Sequence, residues 1–191
     1  TVNGSEAKEK TRDTKTKIPF QMSNVKIKKA KIKDDLFLEV EFIETLPGHS
    51  KKETKMNCTI PVHDDLKSVF GNLTKHLAVL CDELAPAKKI KDIHRWDDEA
   101  LKNFSVQGFS IGGSEDNEGV TLSGRKEGNY GTINLNTPFQ KYAASEYPYI
   151  SQLGSDIEAC IYEVEQYLFE GKRAPERQIA LDFEEQPTEE K

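Results

Sequence analysis

The chain has 191 residues, of which 36% are hydrophobic and 31% charged, and its formal net charge is −6. That length suits one ordinary domain or two small ones, and no apolar run approaches the roughly 20 residues that a membrane-spanning helix needs. The charge is unevenly spread: Lys8 to Lys33 holds ten Lys/Arg against two acids, whereas Asp182 to Lys191 holds five acids against one Lys.

Residues 1–17 are polar and Lys-rich, lack the apolar segment of a secretory leader, and read as a disordered basic arm. From Val25 the pattern becomes strand-like. Val25 and Ile27 alternate with Lys26 and Lys28, then the phase slips by one and Ala30 and Ile32 carry it on. A β-bulge produces such a slip. Leu36, Leu38, Val40 and Phe42 form a second period-two run, and Thr54, Met56, Cys58 and Ile60 a third that stops at Pro61. The period then becomes helical. Asp64 or Asp65 can cap, and Leu66, Val69, Phe70, Leu73, Leu77, Leu80 and Leu84 follow at helical spacing until Pro86.

Residues 86–103 read as a polar linker, after which the programme repeats. Phe104, Val106, Phe109 and Ile111 lie 79 positions after Val25, Ile27, Ala30 and Ile32, phase slip included. Gly112 to Gly119 reads as a hairpin turn. Val120 and Leu122 open the next strand, and Ile133 and Leu135 sit in the one after, which ends at Thr137-Pro138. In the closing helix Ile150, Leu153, Ile157, Ile161, Val164 and Leu168 lie 84 positions after Leu66, Val69, Leu73, Leu77, Leu80 and Leu84.

The expected fold is therefore α+β: an internal duplication of two β-β-β-α units, residues 18–85 and 104–170. One such unit is too small to bury its sheet face and its helix stripe alone, so the two should form one compact domain, a pseudo-twofold dimer within a single chain. Residues 171–191 read as a flexible acidic tail. The expected outer face of the sheet carries Lys26, Lys28, Glu39, Glu41, Lys55, Asn57, Thr121, Ser123, Arg125, Thr132, Asn134 and Asn136.

Cys58, Cys81 and Cys160 are widely spaced, form no Cys-x-x-Cys pair and fall in apolar patterns, as reduced thiols in a cytoplasmic protein do. The glycine-rich segment 112–119 has no basic residue and no following helix, so it is no phosphate cradle. His49, His63, His76 and His94 stand apart in the sequence, without the spacing of a metal site, a nucleophilic triad or a carboxylate pair. The expectation is a non-enzymatic protein with no metal and no cofactor.

Two features point to partners. Lys26, Lys28, Lys31 and Lys33, joined on the same face by Arg125, can track a phosphate backbone of single-stranded DNA; lysines also guard the edge strand of a sheet against aggregation. In the tail, Gln178-Ile179-Ala180-Leu181-Asp182-Phe183 resembles the Gln-x-x-Leu-x-Phe peptide by which bacterial proteins dock on the DNA-polymerase sliding clamp. The resemblance implies that Gln178 bonds at a pocket rim while Leu181 and Phe183 fill an apolar groove. Ile179, Leu181 and Phe183 also alternate as a strand should, and would then add to the protein's own sheet.

Duplicated sheet-plus-helix units resemble, in topology only, the PUR-repeat and Whirly-type single-stranded nucleic-acid binders, although three strands per half are expected here rather than four. The stretches Phe109–Arg125, Ile133–Phe139 and Tyr167–Gly171 resemble uncharacterised proteins encoded by bacterial phages and prophages. Together these resemblances imply an accessory protein of DNA replication or recombination in the cytoplasm of a bacterial host. The alternative is a phage protein that binds and inhibits a host protein.

Overall fold

The computed structural model describes residues 24–175. Seven strands form one antiparallel sheet. Three come from the first part of the chain: β1 (Val25–Lys33), β2 (Phe37–Thr45) and β3 (Lys51–Asn57). Two helices follow, α1 (Asp64–Asn72) and α2 (Thr74–Leu80). The second part supplies β4 (Phe104–Gly112), β5 (Gly119–Gly128), β6 (Gly131–Asn136), the short β7 (Gln140–Lys141) and the long helix α3 (Ile150–Phe169). The strand order is β3-β2-β1-β4-β5-β6, with β7 also bonded to β5. The protein is thus α+β.

The phase slips in the sequence are bulges. The register of β1 on β2 shifts between Ile27 and Lys29, and that of β4 on β5 shifts between Val106 and Gly108. The extra residue keeps Ile27, Ala30 and Ile32, and likewise Phe109 and Ile111, on the buried face. The sheet is continuous because β1 pairs with β4 across the middle, Ala30 opposite Phe109. A glycine is needed at this seam: a Cβ on Gly108 would lie 2.5 Å from the Ala30 carbonyl oxygen.

The helices cover the inner face. Leu66 and Phe70 of α1, Leu77 of α2, and Leu153, Ile157, Cys160 and Val164 of α3 close a single core with Leu38, Val40, Val120 and Leu122. The helical pattern from Leu66 to Leu84 predicts one helix; the structure breaks it at Leu73 and ends it at Leu80. Gly71 and Asn72, both poor helix formers, precede the break, and Leu73 N–H bonds to Phe70 O rather than four residues back. The break lets α2 approach the sheet closely, where Gly124 leaves space: a Cβ there would meet Leu77 Cδ2 at 2.5 Å. The first cap is His63, whose Nδ1 accepts from Asp65 N–H, with Asp64 and Asp65 in the first turn.

The connector 86–103 is packed rather than free. It holds two 3-10 turns, Ile93–Arg95 and Glu99–Asn103, and buries Ile93 and Trp96. Past α3, Ala174 N–H bonds to Pro61 O, Arg173 bridges Val62, and Lys172 joins Asp65 at 2.6 Å and Glu163 at 2.8 Å. Cys160 is buried, Cys58 and Cys81 are half-buried, and all three are free thiols. Among the described residues, no helix is long and apolar enough to cross a membrane.

Candidate nucleic-acid interface

Among the described residues, no helix covers the other face of the sheet. Cross-strand register gives its rows. One runs Asn57–Glu39–Lys31–Gly108–Ser123–Asn136 from β3 to β6, and the next runs Lys55–Glu41–Lys29–Ser110–Thr121. Arg125 lies opposite Ser105 and Asn134 on the same face. Strand β1 sits in the middle of the sheet, bonded on one side to β2 and on the other to β4. Its lysines therefore protect no edge.

The cations differ in what holds them. Lys26 contacts the Glu118 carboxylate. Lys29 stands 3.9 Å from Glu41, which Lys55 also reaches at 3.0 Å. The hydrogen bond from Lys55, and next to it the Lys29 charge, hold the Glu41 carboxyl below its ordinary range against some desolvation. Arg125 bonds to Ser105 Oγ at 3.2 Å and lies 3.4 Å from Asp35 and 3.9 Å from Glu127. Lys28, Lys31 and Lys33 form no ion pair with any described residue. With Lys51 on β3, which likewise pairs with no described acid, these are the cations of this face left available to an external anion. Two aromatic rings accompany them at a distance: Phe37, opposite Lys33, and the fully exposed Tyr130 in the β5–β6 turn. Gln178, Leu181 and Phe183 lie outside the described residues.

The inner layer contains a polar cluster that sequence spacing gave no reason to expect. His76 on α2 is fully buried; its Nδ1 lies 2.8 Å from Tyr147 OH and its Nε2 lies 3.0 Å from Asp156 Oδ2 on α3. His94, in the connector, brings its Nε2 to 3.2 Å from the same oxygen. A carboxylate can only accept, so His76 Nε2–H donates to it; in the neutral ring this tautomer leaves Nδ1 to accept from the tyrosine hydroxyl. Burial, then Tyr149 and Asp156, push the Tyr147 phenol well above its ordinary value. Lys75 Nζ donates to His94 O at 2.8 Å, and Gln152 on α3 accepts from Ile93 N–H at 2.9 Å while donating to Lys91 O at 3.1 Å.

This cluster clasps the connector to α2 and α3. Both imidazoles aim at one carboxylate oxygen rather than at a common empty point, and among the described residues no group of His, Cys, Asp and Glu is arranged to hold a metal. The neighbouring Cys160 thiol is pushed far up by burial, which makes it inert as a nucleophile. The one signal in the sequence is a polar residue inside an apolar stripe: His76 between Leu73 and Leu77, and Asp156 between Leu153 and Ile157. Such residues need buried partners, but spacing does not name them.

Comparison with protein-family models, curated proteins and solved structures finds no match.

Proposed function

We propose that this protein is a non-enzymatic accessory factor of phage-type DNA replication or recombination, acting in the bacterial cytoplasm and binding single-stranded DNA on the open face of its sheet. The observation that carries this reading is the placement of Lys28, Lys31 and Lys33, without acidic partners among the described residues, on a central strand of an uncovered face. A lysine kept there without a partner needs another purpose than edge protection. Around it, Asn57, Ser110, Thr121, Ser123, Asn134 and Asn136 offer neutral donors that suit phosphate and sugar oxygens. Gln178, Leu181 and Phe183 serve in this reading as a tether to the sliding clamp.

The same proposal treats the sheet as two related β-β-β-α units in one chain. The β1–β4 pairing supports it: Ala30 and Phe109 face each other, and the sequence patterns of the two strands are offset by the same 79 positions. Lys29 opposite Ser110 and Lys31 opposite Gly108 then exchange equivalent positions, as a twofold axis through that pair requires.

Titration of labelled oligonucleotide at rising salt tests the function. Affinity should fall steeply, with a slope of about 0.7 per phosphate contact for single strands. The variant Lys28→Glu/Lys31→Glu should bind at least tenfold more weakly, with an unchanged melting curve because neither lysine holds a described partner. Lys52→Glu, whose side chain faces the opposite side of β3, should change little. Absence of saturable binding at low salt, or equal loss in the Lys52 variant, overturns the reading. Leu181→Ala/Phe183→Ala should abolish clamp binding and leave oligonucleotide binding intact.

A further inference from the structure

At the end of the sheet where β1 begins, α3 and the β4–β5 hairpin enclose an open groove of about 450 Å³. Its floor is apolar, formed by Ile111, Tyr142, Ile150, Ile157 and Ile161. Glu118 and Glu158 stand among the lining residues as well. Burial, reinforced by these two carboxylates, pushes the Tyr142 phenol up to about 12. The groove is therefore apolar below, with Glu158 at its rim and Glu118 held by Lys26.

The contact between Lys26 and Glu118 puts the start of β1 at the groove's mouth. The chain before β1 matches the groove in chemistry. Ile18-Pro19-Phe20-Gln21-Met22 is the one apolar stretch of the first 24 residues, and Lys15 and Lys17 precede it. Lengths match as well. Five extended residues span about 17 Å, and the helix from Ile150 to Ile161 rises about 17 Å. Met22 lies only three residues before Val25, so the reach is short.

We propose that this groove is the docking site of the chain's own segment Ile18–Met22, with Phe20 as its apolar anchor and Lys15 and Lys17 toward Glu158. The occupant follows from position and charge: the segment is tethered at the groove's mouth, which gives it a high effective concentration over any free peptide, and the cations at its far end oppose the Glu158 carboxylate, while Glu118 at the mouth is held by Lys26.

Zero-length carbodiimide cross-linking of the full chain, read by peptide mass spectrometry, tests the assignment. Lys26–Glu118, already in contact, is the internal control for both folding and reactivity. Cross-links from Lys15 or Lys17 to Glu158 should form in species of monomer mass. Ile18→Ser/Phe20→Ser should reduce them about tenfold, as loss of anchor side chains does, while Lys26–Glu118 persists. The assignment fails if only the control link forms. It fails equally if the arm links appear only at dimer mass, which would place a second copy's arm in the groove. Arm links undiminished in the double variant would reduce the contact to charge alone and also overturn it.

Discussion

The two ends of the open sheet face share a backbone and differ in chemistry. Across β1–β3 the outward residues include Lys26, Lys28, Lys29, Lys31, Lys33, Glu39, Glu41, Lys51, Glu53, Lys55 and Asn57; across β4–β6 they include Ser105, Ser110, Thr121, Ser123, Asn134 and Asn136, with Arg125 the one outward cation, held by Asp35 and Glu127. Both regions carry a bulge in the strand at the seam and both bury alternate apolar residues inward. Burial constrains one face of each strand and leaves the other free to diverge. The helices beneath do not divide as the strands do: Phe70 of α1 packs on Phe109 of β4 and Leu77 of α2 on Gly124 of β5, whereas Phe169, at the end of the continuous α3, packs edge-on against Phe42 of β2.

The comparison breaks most completely at the seam. Gly108→Val should cost about 3 kcal/mol or more, because the new Cβ meets the backbone of Ala30 at 2.5 Å and of Lys31 at 3.0 Å and neither strand can retreat without losing its other neighbour. A urea melt measures this, and a cost under 1 kcal/mol would mean the two regions are not rigidly joined.

A smaller effect should come from the buried polar clasp beneath the sheet. Asp156→Ala removes the acceptor shared by His76 and His94 and leaves the fully buried His76 Nε2–H unpaired, a cost of about 2 kcal/mol. The paired variant His76→Leu/Asp156→Leu should recover part of that loss, since no orphaned donor remains. Hydrogen exchange should locate the single variant's loss in the connector around Ile93 and in α2, with the outer face unchanged.

The smallest effect concerns the charge that distinguishes the two outer faces. Because Lys55 and Lys29 lower the Glu41 carboxyl, its stabilisation is present above the ordinary glutamate range and is lost as pH falls through the depressed folded value. The pair is exposed, so Glu41→Gln should cost only about 0.3 kcal/mol at neutral pH and nothing once the carboxyl is protonated in acid. Ser123→Ala, one strand beyond the seam, should show no such pH dependence. Melting curves between pH 3 and 7 compare them.

Much of this architecture is legible in local pattern. Period-two alternation, its slip by one residue at Lys28 and Gln107, and the switch to helical spacing at Leu66 and Ile150 report burial along a segment, and burial is what a residue's own hydrophobicity encodes. The outward set from Lys26 to Asn136 is readable for the same reason. The helix break at Leu73 is harder to read, because the apolar spacing runs on through it while Gly71 and Asn72 weaken the backbone underneath.

By itself, then, the sequence determined most of the strands, their bulges and the class of fold, since each depends on neighbours within a few residues. It missed at the sheet's two edges, where β3 runs from Lys51 to Asn57 and Met56, Ile60 and Ile133, expected inward, are exposed because no second layer reaches them. Tertiary structure alone decided that β1 is central rather than an edge, because strand order depends on which ends meet across a connection of some seventy residues from Lys33 to Phe104. It alone brought His76, His94, Tyr147 and Asp156 to one point: four polar residues from three segments, each satisfying a buried partner that no local spacing specifies.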